Sequence, residues 1–346
     1  MTACSGGNQT SSSKDNGDSG KQTASKDIKK NISIGTTPVG ASINSVGNGI
    51  ASVVSKNSDV RLTVKPFNGI SGWGPSLDKG EIDLGSATAP EIAWAFKGEQ
   101  GFNAMKNIRL LVRGNYIPTS GFVVREDSGI KSNADLKGKR ISSDYPGSAS
   151  AVLLLEAVLA ANGLSWDDVK KVPTTSLAAG MESLQNNRLD ATYAMAPSTP
   201  VVQEVNNSVP LKSFSIIDGV KPVDIDSVKD DVIKEFTSRV PGTRLTVVKP
   251  SGYIKEETVG VEYPLQVVSS AHLTDDTVYV LLETLWAHYK ELQPIHAWLQ
   301  TWTPEQMFDP NPTVPYHPGA VKFFKDKGLW TDEVDKIQEE LLKLAE

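Results

Sequence analysis

The sequence predicts an α/β protein built as two domains with a ligand cleft between them. Three observations lead there. Short segments of alternating apolar residues are interleaved with segments whose apolar residues recur at helical spacing, the pattern of parallel sheets covered by helices. Loops rich in Gly, Ser, Thr and Ala sit at predicted strand ends in both halves of the chain. About 320 of the 346 residues follow a polar N-terminal tract, enough for two domains of ordinary size.

The tract comes first. From Ser5 to Asp27 it holds a single apolar residue, Ala24, and no aromatic. Such a stretch cannot offset the entropy of ordering, so residues 1–30 are predicted to be a disordered, solvated tether. Its Cys4 is the only cysteine of the chain, which leaves no partner for a disulfide. Two readings of Cys4 stand: an inert thiol, or the lipidation point of a bacterial lipoprotein signal whose remnant is Thr2-Ala3-Cys4-Ser5-Gly6-Gly7. The charged and apolar parts of such a signal are not in this sequence, so Met1 is read as a start placed after them. The second reading puts the protein outside the cytoplasm, held to the membrane through Cys4.

The first half of the chain repeats one unit. Ile32 and Ile34 mark a strand, and Gly35-Thr36-Thr37-Pro38 reads as strand end and helix start, with Thr36 or Thr37 as N-cap and Pro38 in the first turn. Val39, Ile43, Val46, Ile50, Val53 and Val54 then trace one buried helix face. Leu62-Thr63-Val64 is a strand, Asn68 to Pro75 a loop, and a short helix runs to Gly80. Ile82-Asp83-Leu84 is the third strand, and Ser86-Ala87-Thr88-Ala89-Pro90 opens a helix to Phe96. A second series starts near Gly121, with strands at Phe122-Val123-Val124 and Arg140-Ile141-Ser142. Asp144 to Ser150 leads into an apolar helix from Ala151 to Ala161, stopped by Asn162-Gly163. Leu177 to Asn187 is helical, and Ala191 to Ala194 is a strand. After an apolar segment from Val259 to Val268, amphipathic helices (Asp275 to Leu292, Pro318 to Lys327, Thr331 to Leu344) end the chain.

Composition narrows the function. A net charge of −6 without a basic stripe argues against a nucleic-acid partner. No run of 18 apolar residues is present to span a membrane. The four histidines (His272, His288, His296, His317) lack metal-ligand spacing and read as structural, as do the paired acids Asp167-Asp168 and Asp230-Asp231 at helix ends. No cofactor or metal is predicted, and no catalytic residue. The nucleophile elbow, the Walker loop, the dinucleotide fingerprint and the His-Glu-x-x-His helix are all missing, and no His, Cys or Lys lies in the cleft loops.

Strand-end loops of open α/β sheets bind ligands, and helix N-termini there favour anions. The candidate ligand-binding residues are therefore Thr36, Thr37, Ser42, Ser71, Thr88, Gly147, Ser148 and Ser150. Trp73, between Gly72 and Gly74, faces either ligand or core. Arg113 either meets a carboxylate in the cleft or lies at the surface. Tyr116 and Tyr193 carry hydroxyls that could donate to a ligand.

The order of segments resembles a family. It comprises Ile34-Gly35-Thr36, Lys79 to Gly85 (KGEIDLG), Arg125 to Ser132 (REDSGIKS) and Ala134 to Arg140 (ADLKGKR). Pro146-Gly147-Ser148, Asn187 to Ala191 (NRLDA) and Tyr316 to Ala320 (YHPGA) complete it. Over roughly Ile32 to Phe324 the chain is similar to the TAXI family, the solute-binding proteins of TRAP transporters. The resemblance implies a type II periplasmic binding protein: two lobes (residues 31–120 plus 261–346, and residues 121–260) joined by crossing strands and closing on a ligand at the hinge. It also implies a monomer that binds a small organic acid, such as glutamate or a related dicarboxylate, and hands it to a TRAP permease. The alternative is a binding lipoprotein of an ATP-driven (ABC) importer for a sulfonate or pyrimidine-type ligand, which shares the fold.

The first loop departs from the family, which usually writes Gly-Thr/Ser-Gly-x-Thr-Gly-Gly followed by aromatic residues. Here Thr37-Pro38 replace a small pair, Val39 takes a hydroxyl position, and Ile43-Asn44 stand where tyrosines are common. The four loops contain no acid except Asp144, so nothing is seen to receive an ammonium group. The ligand expected is accordingly a carboxylate without an amine, aromatic or oxo-substituted, in preference to glutamate.

Overall fold

The computed structural model describes residues 27–145 and 148–346 together with Met1. Eleven strands are present among them: β1 Asn31–Thr36, β2 Arg61–Pro66, β3 Leu84–Thr88, β4 Ile108–Thr119, β5 Phe122–Arg125, β6 Arg140–Ser143, β7 Lys170–Pro173, β8 Ala191–Tyr193, β9 Leu211–Ser213, β10 Arg244–Val248 and β11 Thr258–Ser270. The helices are α1 Ser42–Asn57, α2 Ile70–Asp78, α3 Ala89–Lys97, α4 Ala149–Ala161, α5 Leu177–Gln185, α6 Pro200–Ser208, α7 Asp230–Thr237, α8 Asp275–Ala287, α9 Tyr289–Leu292, α10 Pro304–Met307, α11 Pro318–Asp326 and α12 Asp332–Lys343.

Two sheets share one plan. The first runs β2-β1-β3-β11-β4, with β10 also on β11; the second runs β7-β6-β8-β5-β9. In each, the strand arriving from the other half (β11, β5) is inserted antiparallel beside β3 or β8. The chain leaves the first sheet through Ser120-Gly121 and returns along β11. Gly121 has φ +73°, a left-handed conformation at the crossing. A side chain at Gly260 is excluded for another reason: its Cβ would lie 2.4 Å from the Thr119 carbonyl oxygen on the paired strand. β10 pairs with Thr258–Glu262 of β11 and so belongs to the first sheet, although it precedes residue 261.

The cores follow from the apolar patterns. Val46, Ile50, Val53 and Val54 of α1 are buried on β1 and β2, and Leu154, Leu155 and Val158 of α4 are fully buried. Three elements differ from their sequence reading. α1 begins at Ser42, not Pro38, because Gly40 takes φ +89° and the preceding residues close a turn from the Ala41 N–H to the Pro38 carbonyl. Val39 is consequently 80% exposed instead of lying on the buried face. The segment around Trp73 is helical (α2), and the third strand is Leu84–Thr88, two residues later than its apolar core suggested.

The chain is held from Asp27 onward. The Asp27 N–H donates to Asp276, the Thr274 hydroxyl to the Asp27 carbonyl, and the Lys29 N–H to Thr277, all at the start of α8. The Lys29 ammonium meets Asp83 at 2.7 Å. The predicted tether therefore loses its last four residues, 27–30, to the folded body, and Cys4 lies outside the described residues.

Candidate functional site

The C-terminal end of β3 lies against the helix start that follows β6, with the end of β8 beside it, and these segments meet across the boundary between the sheets. β3 delivers Thr88 as N-cap of α3, which places Glu91 in that helix's first turn. β6 leads through Tyr145 to Ser148, the N-cap of α4, and to Ser150 inside it. The Ser150 hydroxyl donates to one Glu91 oxygen at 3.2 Å, and the Thr88 hydroxyl donates to the other at 2.8 Å. A second bridge joins the hydroxyls of Tyr193 on β8 and Tyr263 on β11, 2.8 Å apart. Behind Tyr193, the hydroxyls of Ser142, Tyr145 and Thr192 form a closed buried cluster.

Burial sets the electrostatics. Glu91 is held above the ordinary carboxylate range by desolvation, against the opposing hydrogen bonds of Thr88 and Ser150. Desolvation likewise raises the Tyr193 and Tyr263 phenols, with the nearby Glu91 carboxylate adding to it. Glu91 has no ion-pair partner among the described residues.

Of the residues proposed from sequence, Thr88, Ser150 and Tyr193 meet in this polar boundary, and Ser148 stands half-exposed beside it. Thr36 does not face it: its hydroxyl accepts from Asn44 at 2.9 Å and donates to the Thr37 carbonyl, tying the end of β1 to α1. The Thr37 hydroxyl is buried without a partner among the described residues. Ser42 opens α1 and, because that helix starts late, Thr36 and Thr37 are not at a helix N-terminus. Ser71 is exposed, with its hydroxyl on the Asn68 carbonyl. Gly147 lies outside the described residues.

Three residues take other roles. Trp73 is fully buried, its indole flat over Gly35 of β1 and Gly85 of β3, so it is a core residue. Arg113 is held by its own sheet's cover: its guanidinium donates to the Gln306 backbone and side chain and lies near Asp309. Tyr116 accepts from Arg113 and stacks under Arg244, whose guanidinium carbon is 3.9 Å from the ring centroid. Neither reaches Glu91. His317, as expected from its helix-start motif, caps α11: Nδ1 accepts the Gly319 N–H and Nε2 donates to the Leu273 carbonyl.

Glu91 is an acid at this boundary that the reading of the four loops did not include. It sits one residue past the loop as read from sequence, in a segment apolar enough to pass for a core helix. Its signal was the spacing Thr88-x-x-Glu91, the capping-box pattern of a helix start. Tyr263 had no local signal, lying in an apolar strand.

Two α/β units of the same plan, linked by crossing strands with a polar boundary at their strand ends, define the periplasmic binding-protein architecture. The chain belongs to the NMT1-like family, which it matches over residues 34–328. Among solved structures it is similar to PhnD1 from Prochlorococcus marinus in complex with methylphosphonate. That likeness has 14% identity and a TM-score of 0.50, covering 87% of this chain and 99% of that one. The periplasmic aliphatic sulphonate binding protein SsuA from Escherichia coli shares 15% identity at a TM-score of 0.46, over 91% of this chain and 86% of its own. A TctC solute binding protein from Polaromonas shares 14% identity at 0.46, over 91% and 95%. No described helix is long and apolar enough to cross a membrane.

Proposed function

We propose that the protein is an extracytoplasmic solute-binding protein that takes a small organic anion between its two lobes, closes on it and delivers it to a membrane permease of the TRAP type. The observation that carries this reading is the opposition of two helix starts across one boundary, α3 with Thr88 and α4 with Ser148 and Ser150. First-turn amides and hydroxyls at the start of α4 suit a carboxylate. Lobe 1 in this reading comprises residues 31–120 plus 261–346 together with β10, and lobe 2 the remainder of 121–260. Lipidation of Cys4 would keep the protein at the outer face of the membrane, and intact-mass measurement of protein made in its native host tests that anchor.

Sulfonate or phosphonate oxygens would suit the same amides, which keeps delivery to an ATP-driven importer as the second reading. A many-helix permease or an ATPase encoded beside the gene separates the two. The binding test is calorimetric titration of succinate, 2-oxoglutarate, glutamate, methylphosphonate and an alkanesulfonate into protein stripped of bound solute, with small-angle scattering at saturation. Binding that compacts the protein and weakens on Ser150→Ala is the expected result. Binding of any of these with no change in compactness would refute capture by closure.

A further inference from the structure

Glu91 is an acid placed where an ionised carboxylate is costly. Among the described residues its oxygens meet only hydroxyls and the Thr88 N–H, and one of those hydroxyls belongs to the opposite lobe. The charged side chains on the elements packed against α3 are engaged elsewhere. Asp78 on α2 accepts the Asn107 N–H, Glu262 on β11 is paired with Arg244, and Glu156 on α4 with Arg239. Lys97 is exposed at the far end of α3, and β3 carries no charge. The titratable groups that do face Glu91 are the phenols of Tyr193 and Tyr263, with Tyr145 behind them. The Thr88 or Ser150 hydroxyl can turn to accept the hydrogen bond of a neutral carboxyl, whereas none of these groups, phenols included, supplies a positive charge.

We propose that Glu91 is the clasp between the two lobes and works as a neutral carboxyl, so that closing takes up one proton and opening releases it. The proposal rests on the two-lobe closing motion proposed above. In the open form the carboxyl is hydrated and ionises in the usual carboxylate range; in the closed form it keeps its proton to higher pH, because desolvation penalises the charge. The closed form therefore binds more protons, and acid favours it. Between the two titrations the closing equilibrium falls up to about tenfold per pH unit as pH rises.

The experiment compares unliganded wild type, Glu91→Gln and Glu91→Arg by small-angle scattering at pH 5 and pH 8, with far-ultraviolet circular dichroism to confirm folding. Wild type is expected to be compact at pH 5 and expanded at pH 8. Glu91→Gln, neutral at both, stays compact at both, and Glu91→Arg, charged at both, is expanded at both. An unchanged wild type beside an expanded Glu91→Arg overturns the clasp and leaves the closing motion standing. A pH response in Glu91→Gln equal to that of wild type also overturns it, since the proton would then act elsewhere. A folded Glu91→Arg that stays compact at both pH values also overturns the clasp, and the closing motion is then judged by the ligand titrations above.

Discussion

Replacing Trp73 by alanine should unfold the first sheet more easily and leave the ligand alone. The indole has no exposed surface, and it lies over two glycines. A Cβ built on Gly35 would come within 2.5 Å of its Cγ, and one on Gly85 within 2.2 Å of its Cζ3. The two glycines are therefore the seat of the ring, and Trp73→Ala leaves a cavity above them at a cost of about 3–5 kcal/mol. Gly85→Ala alone forces the ring off the sheet and costs about 1–3 kcal/mol by overpacking. In the double variant the new methyl enters the vacated space, so the second substitution should cost little and the cycle should show a coupling of about 1–3 kcal/mol. Urea denaturation followed by the six other tryptophans measures all four corners of the cycle. Costs that add to within about 0.5 kcal/mol would show that ring and glycine do not touch. A Trp73→Ala protein of unchanged stability and weakened ligand affinity would return the tryptophan to the cleft. Because the indole N–H is buried without a partner among the described residues, Trp73→Phe should cost less than the loss of ring volume implies.

Asp83→Ala removes the acceptor of the buried Ser33 N–H and the partner of Lys29, and should cost about 1–3 kcal/mol in thermal or urea melts. Truncation through Lys30 should lower the melting temperature relative to truncation through Lys26, because it removes the bonds of Asp27 and Lys29 to α8; equal melting temperatures would contradict that anchoring. Burial lowers the pKa of His317 below its usual 6.5 in the folded state. Its neutral form thus contributes stability that is complete above the unfolded pKa and is lost as pH falls through the folded one. His317→Asn, which can still cap the helix, should flatten the fall in melting temperature between pH 7.5 and pH 5, and an unchanged slope would remove His317 as its source. Arg113→Ala should cost about 1–2 kcal/mol through its lost hydrogen bonds to Gln306 and Tyr116, with ligand affinity in calorimetry unchanged.

What the sequence determined by itself is what depends on neighbours along the chain. The alternation at Ile32 and Ile34, the helical spacing from Val46 to Val54, and the stop at Asn162-Gly163 each report a local periodicity or a local backbone preference, and the elements there appear as read. The small-residue loops at Thr88 and Ser148 to Ser150 were legible for the same reason, because helix starts draw on a short list of residue types. The start of α1 was not, since Pro38 and Gly40 are both tolerated in a helix start or in a turn and only the adopted φ of Gly40 chose between them.

The site's chemistry lay further from any local pattern. Trp73 between two glycines reads equally as ligand-facing or core until β1 and β3 bring Gly35 and Gly85 against its ring. Arg113 reads as a free cation until Gln306, 193 residues on, takes its hydrogen bonds. Glu91 draws no notice in the sequence, and it becomes a contact between the sheets only because Ser150, 59 residues away, donates to it from the other side. Periodicity records which face of an element is buried, not what is buried against it. Whether a polar group ends as cap, core or clasp depends on the desolvation and hydrogen bonds that distant segments impose, and only the tertiary structure brings those segments together.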